Sequence, residues 1–201
     1  MAGYNLNLAR VVERPEHYFP RKEILTRRPD GSLFRYTYAE FGARVRRLAS
    51  VMASIGVGPG AKAATLAWNT HEHLELYFGI PCAGAVLHTA NLRLSDEHIA
   101  YTMNHAEDRA LFFSPDLLAT VENLVPLLKT VTTYVILAEH APPSRIPGLI
   151  AYEDLLRRGD PTFRYPDVDE DAPASICFTS ATTGLPKGVA YSHRALVLHS
   201  M

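Results

Sequence analysis

The chain has 201 residues, of which 47% are apolar and 20% charged, and its formal net charge is −1. That length holds one large domain or two small ones with a sizeable core, and the apolar fraction excludes a disordered chain. Cys82 and Cys177 are too few and too far apart to staple a domain of this size, so a reducing compartment is expected.

The near-neutral total hides an asymmetry. Residues 1–50 carry ten Lys/Arg against five Asp/Glu, and the remainder carry ten against sixteen. A basic patch for nucleic acid or a membrane surface is one reading of this, and a solvated helix face is the other. The bases are interleaved with Glu13, Glu16, Glu23 and Asp30, and no stripe of bases alternates with aromatics, so nucleic acid is not expected as a partner. The first residues show no apolar targeting core, and the longest apolar stretch, 76–87, is too short to span a bilayer and is broken by Gly79, Pro81 and Gly84. The chain therefore reads as cytoplasmic, with peripheral membrane contact left open.

Residues 1–36, with Pro15, Pro20, Pro29 and an expected turn at Asp30-Gly31, read as an irregular arm ahead of a domain over 37–201. Phe41, Val45, Leu48, Met52 and Ile55 then form one apolar helical stripe, which Gly56 and Gly58-Pro59-Gly60 end. A short strand is expected over 63–68. Asn69 is placed to cap the next helix, with Glu72 reaching back, and that helix is expected to break near Gly79 and Pro81. His71 and His73 are two apart and fall on different helix faces, so the nine His read as structural or exposed.

A strand over 86–89 precedes a helix capped by Ser95, whose first turn carries Asp96 and Glu97 at the positive end of the dipole. Strands at 109–113 and 133–138 flank a helix opened by Ser114-Pro115, and a short helix over 152–158 stops at Gly159. The acidic run 167–171 could bind a metal only if its carboxylates converged, and consecutive loop residues favour a solvated linker. Short strands alternating with amphipathic helices make an α/β fold, a mainly parallel sheet with helices on both faces. Ligands of such sheets gather in loops at the carboxyl ends of strands.

One loop there stands out. A buried strand over 174–178 runs into Thr179-Ser180-Ala181-Thr182-Thr183-Gly184-Leu185-Pro186-Lys187-Gly188, and an apolar segment, 189–191, follows. Hydroxyls and backbone N–H groups in a tight turn make an anion-binding concavity. Gly184 permits close approach of backbone to a ligand, and Lys187 adds a mobile point charge suited to phosphate oxygens. A threonine hydroxyl can also join a Mg2+ shell. The competing reading is an ordinary polar turn, which Ser, Thr and Gly fill for local reasons. The Walker A spacing is not met, because Lys187 lies between Pro186 and Gly188.

The string FTSATTGLPKGVAYSH resembles the signature loop of the adenylate-forming superfamily, the group of acyl-CoA synthetases, luciferases and peptide-synthetase adenylation domains. The stretches TYAEFGARVRRLA, IGVGPG, TLAWNTHEHLELYFGIPCAGAVLHTANLRLS, IAYTMNHAEDRALFF and SHRALVLHS look like its medium- and long-chain fatty-acyl-CoA synthetase branch. The resemblance implies a two-step ligase for a fatty acid, with ATP, Mg2+ and CoA as cofactors. Carboxylate and ATP give acyl-AMP and pyrophosphate, and the thiol of CoA then takes the acyl group.

It also implies that Thr179, Ser180, Ala181, Thr182, Thr183, Gly184 and Lys187 bind the ATP phosphates, that Thr179 helps hold Mg2+, and that Lys187 is the catalytic residue. Ala181 stands where the family usually has glycine; it is strained if φ is positive there and harmless if φ is negative. Ala61 replaces a common acidic residue after the turn glycine, which reads as a surface change.

Family members are more than twice this long. The chain is therefore expected to be an N-terminal fragment, inactive alone, with the CoA site mostly outside it. A helix begins near His193 and has no stop signal before Met201, which fits that expectation. The alternatives are a non-catalytic nucleotide-binding or association module, which should expose apolar surface, and a ligase for another acid, aryl or short-chain. A homodimer through the arm is a further expectation of the resemblance.

Overall fold

The computed structural model describes residues 5–28, 31–179 and 185–201. Helix α1 (Leu8–Tyr18) leads into an antiparallel hairpin of β1 (Glu23–Arg27) and β2 (Leu33–Thr37). Helix α2 (Tyr38–Val51) continues into a 3-10 turn, Met52–Ile55. There follow β3 (Lys62–Leu66), α3 (His71–Cys82), β4 (Val86–Thr89), α4 (Asp96–Ala106) and β5 (Asp108–Phe113). Helix α5 (Leu118–Leu124), β6 (Thr133–Ile136), β7 (Ile150–Ala151) and α6 (Tyr152–Arg157) come next. The described chain closes with β8 (Pro173–Thr179), β9 (Lys187–Ser192) and α7 (His193–His199).

Seven strands form one sheet in the order β7-β6-β5-β3-β4-β8-β9. Every neighbouring pair is parallel except β8 and β9. Because strand side chains alternate between faces, adjacent residues feed different cores. Ala63 and Phe112 join Leu48, Met52, Leu76, Ile80 and Tyr152 under α2, α3 and α6. Ala64, Leu111 and Phe113 join Met103, Val121 and Leu124 under α4 and α5. The expected α/β architecture with helices on both faces is the one observed.

Local signals explain most boundaries. Thr37 and Glu40 form a reciprocal capping box at the start of α2: Thr37 N donates to Glu40 Oε2 (2.7 Å) and Glu40 N donates to Thr37 Oγ1 (3.2 Å). Ser95 caps α4 as expected, accepting from His98 N. The cap of α3 is Thr70 rather than Asn69; its Oγ1 accepts from His73 N. Helix α3 also passes Gly79 and Pro81 unbroken to Cys82. Pro81 lies in the last turn, where little helix remains to disrupt, and the buried Leu76 and Ile80 hold the segment against the core. Ser114-Pro115 opens a single 3-10 turn ahead of α5, and Ser114 Oγ accepts from Trp68 N instead of capping.

The larger correction concerns residues 1–36. They are not irregular where described: Leu8, Ala9 and Val12 bury one face of α1, and β1 and β2 form the hairpin. Glu16 accepts from both Arg46 guanidinium nitrogens (2.7 and 2.6 Å), tying α1 to α2. The expected turn is supported at Gly31, whose φ is +83° and whose N–H donates to Arg28 O; Asp30 lies outside the described residues.

The acidic run is more than a solvated linker. Glu170 Oε2 accepts from Leu6 N (2.8 Å) and Asn7 Nδ2 donates to Val168 O, so this run fastens the start of the chain. The Leu6 amide holds the Glu170 carboxyl below the usual carboxylate range, with help from Arg194.

Gly79 lies where α3 packs against Leu48 of α2. A Cβ there would lie 2.4 Å from Leu48 Cδ2 and 2.8 Å from Cγ. Gly79→Ala is expected to lower unfolding free energy by about 1–3 kcal/mol through overpacking. Gly58→Ala, with nothing within 4 Å of its Cβ, should stay within about 0.5 kcal/mol of the parent when both variants are compared by urea titration.

Candidate functional site: the β8–β9 hairpin at the carboxyl edge of the sheet

Strand β8 runs parallel to β4, with Leu87 opposite Ser175, His88 opposite Ile176 and Thr89 opposite Cys177. Its carboxyl end therefore emerges at the same edge as those of β3, β4 and β5, the edge where such sheets bind ligands. Strand β9 returns antiparallel to β8, pairing Cys177 with Val189, Phe178 with Gly188 and Thr179 with Lys187.

Two of the residues singled out from the sequence are thus brought together. Thr179 and Lys187 are directly opposite, which puts their side chains on one face of the hairpin. Thr179 Oγ1 donates to Lys187 O at 3.4 Å, and both residues are exposed. Ser180, Ala181, Thr182, Thr183 and Gly184 lie outside the described residues.

The stem of the hairpin is tightly built. A Cβ on Gly188 would lie 3.1 Å from Phe178 Cζ and 3.3 Å from Cε1 and Cε2, so the ring takes up the space a side chain would need. One residue back, Cys177 Sγ lies 3.4 Å from Thr89 Oγ1, linking β8 to β4 through side chains as well as backbone.

A separate cavity of about 440 Å3 opens where β3, β5 and β6 end, and no described residue of the β8–β9 hairpin lines it. Its walls include Arg27, Arg28, Trp68, His71, Glu72 and Asp116. The half-exposed Trp68 indole is fixed by donation from Nε1 to Asp116 Oδ2 (2.8 Å). His71 stacks on Phe34 with ring centroids 4.1 Å apart. His73, on the other side of the helix, is buried too: Nε2 lies 3.0 Å from Thr65 Oγ1, and Nδ1 lies 3.0 Å from Trp68 O.

A partly buried ionic cluster, with Glu75 fully buried at its centre, backs this edge. Arg44 Nε donates to Glu75 Oε1 (2.8 Å), and its two terminal nitrogens donate to Glu153 (3.0 and 2.5 Å). Tyr152 OH donates to Glu75 Oε2 (2.8 Å). Burial pushes the Glu75 carboxyl up to about 7, against the pull of Arg44 and Tyr152. Sequence reasoning missed this cluster, because residues 44, 75 and 153 share no local pattern.

Residues 12–200 match the family described as AMP-binding enzyme. The chain belongs to the AMP-binding enzyme family. It is 48% identical over 201 residues to a long-chain-fatty-acid–CoA ligase of Thermus thermophilus, covering 100% of this chain and 36% of that protein. It is 42% identical over 197 residues to a 3-methylmercaptopropionyl-CoA ligase of Ruegeria pomeroyi, covering 97% and 36%. Among solved structures, the anthranilate CoA ligase AuaEII in complex with anthranoyl-AMP superposes with a TM-score of 0.85 at 21% identity, covering 96% of this chain and 36% of that one; this likeness concerns the fold. ATP-bound MatB from Rhodopseudomonas palustris superposes with a TM-score of 0.77 at 26% identity, covering 98% and 37%. The chain thus spans little more than a third of the length of the curated relatives it matches.

Burial, with Arg44 adding to it, holds His71 down to about 4. An imidazole whose pKa falls on folding contributes stability that is complete above its unfolded value, about 6.5, and is lost as pH falls toward its folded value. Measured against His71→Leu, the parent should therefore lose stability between about pH 6.5 and about pH 4. A difference in urea midpoint that stays constant over that range would contradict a buried neutral His71.

Proposed function

We propose that this chain is the N-terminal part of an ATP-dependent acid–thiol ligase that makes fatty-acyl-CoA. Acid and ATP yield acyl-AMP and pyrophosphate, and the CoA thiolate then attacks the acyl carbon and releases AMP. The observation that carries the proposal is the register of Thr179 against Lys187 at the carboxyl edge, within a loop of hydroxyls and glycine. The resemblance to acyl-CoA ligases supports it.

Segment 179–187 is assigned to the β- and γ-phosphates of ATP. Lys187, exposed on a short hairpin, suits that role: its ammonium would offset negative charge that grows on pyrophosphate as the α-phosphate is attacked. Thr179 offers one exposed hydroxyl oxygen to a divalent cation beside an anion site. Mg2+ held there would supply further neutralisation of phosphate charge. Most of the CoA site is assigned to sequence outside this chain.

No helix of the described residues is long and apolar enough to cross a membrane. A cytoplasmic location, with contact at a membrane surface and a homodimer through the N-terminal arm, belongs to the same proposal.

A second reading applies to the 201 residues on their own: a non-catalytic nucleotide-binding or association module. It is favoured by Leu185, Val189, Tyr191 and Leu198, which expose apolar side chains on and beside the sheet edge.

The test is ATP–pyrophosphate exchange by the full-length protein. Exchange should depend on added medium- or long-chain fatty acid, and Lys187→Ala should lower its rate by about 100-fold, the loss typical of one charge-stabilising donor. Exchange indifferent to fatty acid but driven by aryl or short-chain acids would overturn the fatty-acyl assignment. Exchange unaffected by Lys187→Ala would overturn the role of the hairpin.

A further inference from the structure

Behind the hairpin lies a polar pair that the proposed chemistry does not use. His88 on β4 and Asp108 at the start of β5 are both fully buried, and His88 Nδ1 lies 2.6 Å from Asp108 Oδ2. Among the described residues the pair is incompletely satisfied, since neither His88 Nε2 nor Asp108 Oδ1 has a hydrogen-bond partner there. Such a pair is a poor source of stability, because apolar residues of similar volume would avoid the desolvation cost. What it does provide is a ring fixed in one orientation.

That ring faces the root of the hairpin. The centroids of His88 and Phe178 are 4.9 Å apart, with the planes tilted by 49°. His105 on α4 meets the same Phe178 ring edge-on at 6.0 Å, and is itself stacked on Tyr101 at 5.5 Å. The tip of the Phe178 ring fills the space where Gly188 lacks a side chain. Phe178 immediately precedes Thr179, and Gly188 immediately follows Lys187.

A continuous line of contact therefore runs from Asp108 through His88 and Phe178 to Gly188, and ends beside the two residues assigned to phosphate. We propose that His88 and Asp108 are positioning residues that set the β8–β9 register for a nucleotide triphosphate. The role as it concerns nucleotide rests on the function proposed above; the role as it concerns the hairpin does not.

Two readouts on the full-length protein separate these. The first is amide hydrogen exchange of Thr179, Lys187 and Gly188 without ligand. The second is MgATP affinity by calorimetry. Replacing both partners by apolar residues, His88→Leu with Asp108→Leu, removes the two buried polar groups together and should leave the melting temperature near that of the parent. Hairpin amides should then exchange about tenfold faster and MgATP should bind about tenfold more weakly, a coupling of ordinary size for a residue without ligand contact. Asp108→Asn, which still accepts a hydrogen bond from His88, should restore both to within about twofold of the parent.

If the doubly apolar protein does not fold, His88→Gln carries the same test, since it retains a donor for Asp108 but loses the ring against Phe178. Unchanged exchange at the hairpin overturns the positioning role. Faster exchange with unchanged MgATP affinity overturns its link to nucleotide. A parent that does not bind MgATP overturns the proposed function, and the exchange data still decide whether the pair holds the hairpin.

Discussion

The candidate site depends on the parallel pairing of β8 with β4. That pairing carries the chain across the sheet after α6 and delivers the end of β8 to the carboxyl edge. Ala174 and Ser175 are buried and Ile176, Cys177 and Phe178 are half-buried, so both faces of β8 are enclosed and a shift of the strand would disturb contacts on each. Those contacts and the pairing with β4 bring Thr179 to the carboxyl edge. Strand β9 inherits the same precision through its antiparallel pairing, which sets Lys187 opposite Thr179.

The central strands of the sheet are covered on both faces. Leu111, Phe112 and Phe113 feed two cores in turn, so β5 cannot slide without disturbing both. Polar groups inside this frame are few and specific. Arg44 joins α2, α3 and α6 through Glu75 and Glu153, and His88 joins β4 to β5 through Asp108. Removing one member of such a cluster leaves a buried charge without a partner, which costs more than the intact cluster contributes. These clusters thus hold the elements in particular relative positions rather than adding to overall stability.

Much of the architecture was legible because it rests on local periodicity. The stripe from Phe41 to Ile55, the apolar runs of β3 to β6 and the Ser95 cap each declare their element within a few residues. Failures fall where a distant contact overrides a local rule. Pro15 made α1 unreadable, yet Leu8 and Val12 are buried against the rest of the chain. Pro81 signalled a break that tertiary packing suppresses. Strand β7, two residues long, carries no period at all. Glu170 looked like one charge in a solvated run, and its partner, the Leu6 amide, lies 164 positions away. At the site, the spacing of hydroxyls, glycine and lysine was readable from the chain, whereas the Phe178–Gly188 contact and the ring of His88 behind it required the fold.

The central claim is that the β8–β9 hairpin receives the phosphates of a nucleotide. The most direct measurement is the set of backbone amide shifts of uniformly 15N-labelled protein as MgATP is added. The largest shifts are expected to cluster between Thr179 and Gly188, with Lys187 among them. Shifts confined to the cavity around Trp68 and His71, with the hairpin unmoved, would contradict it.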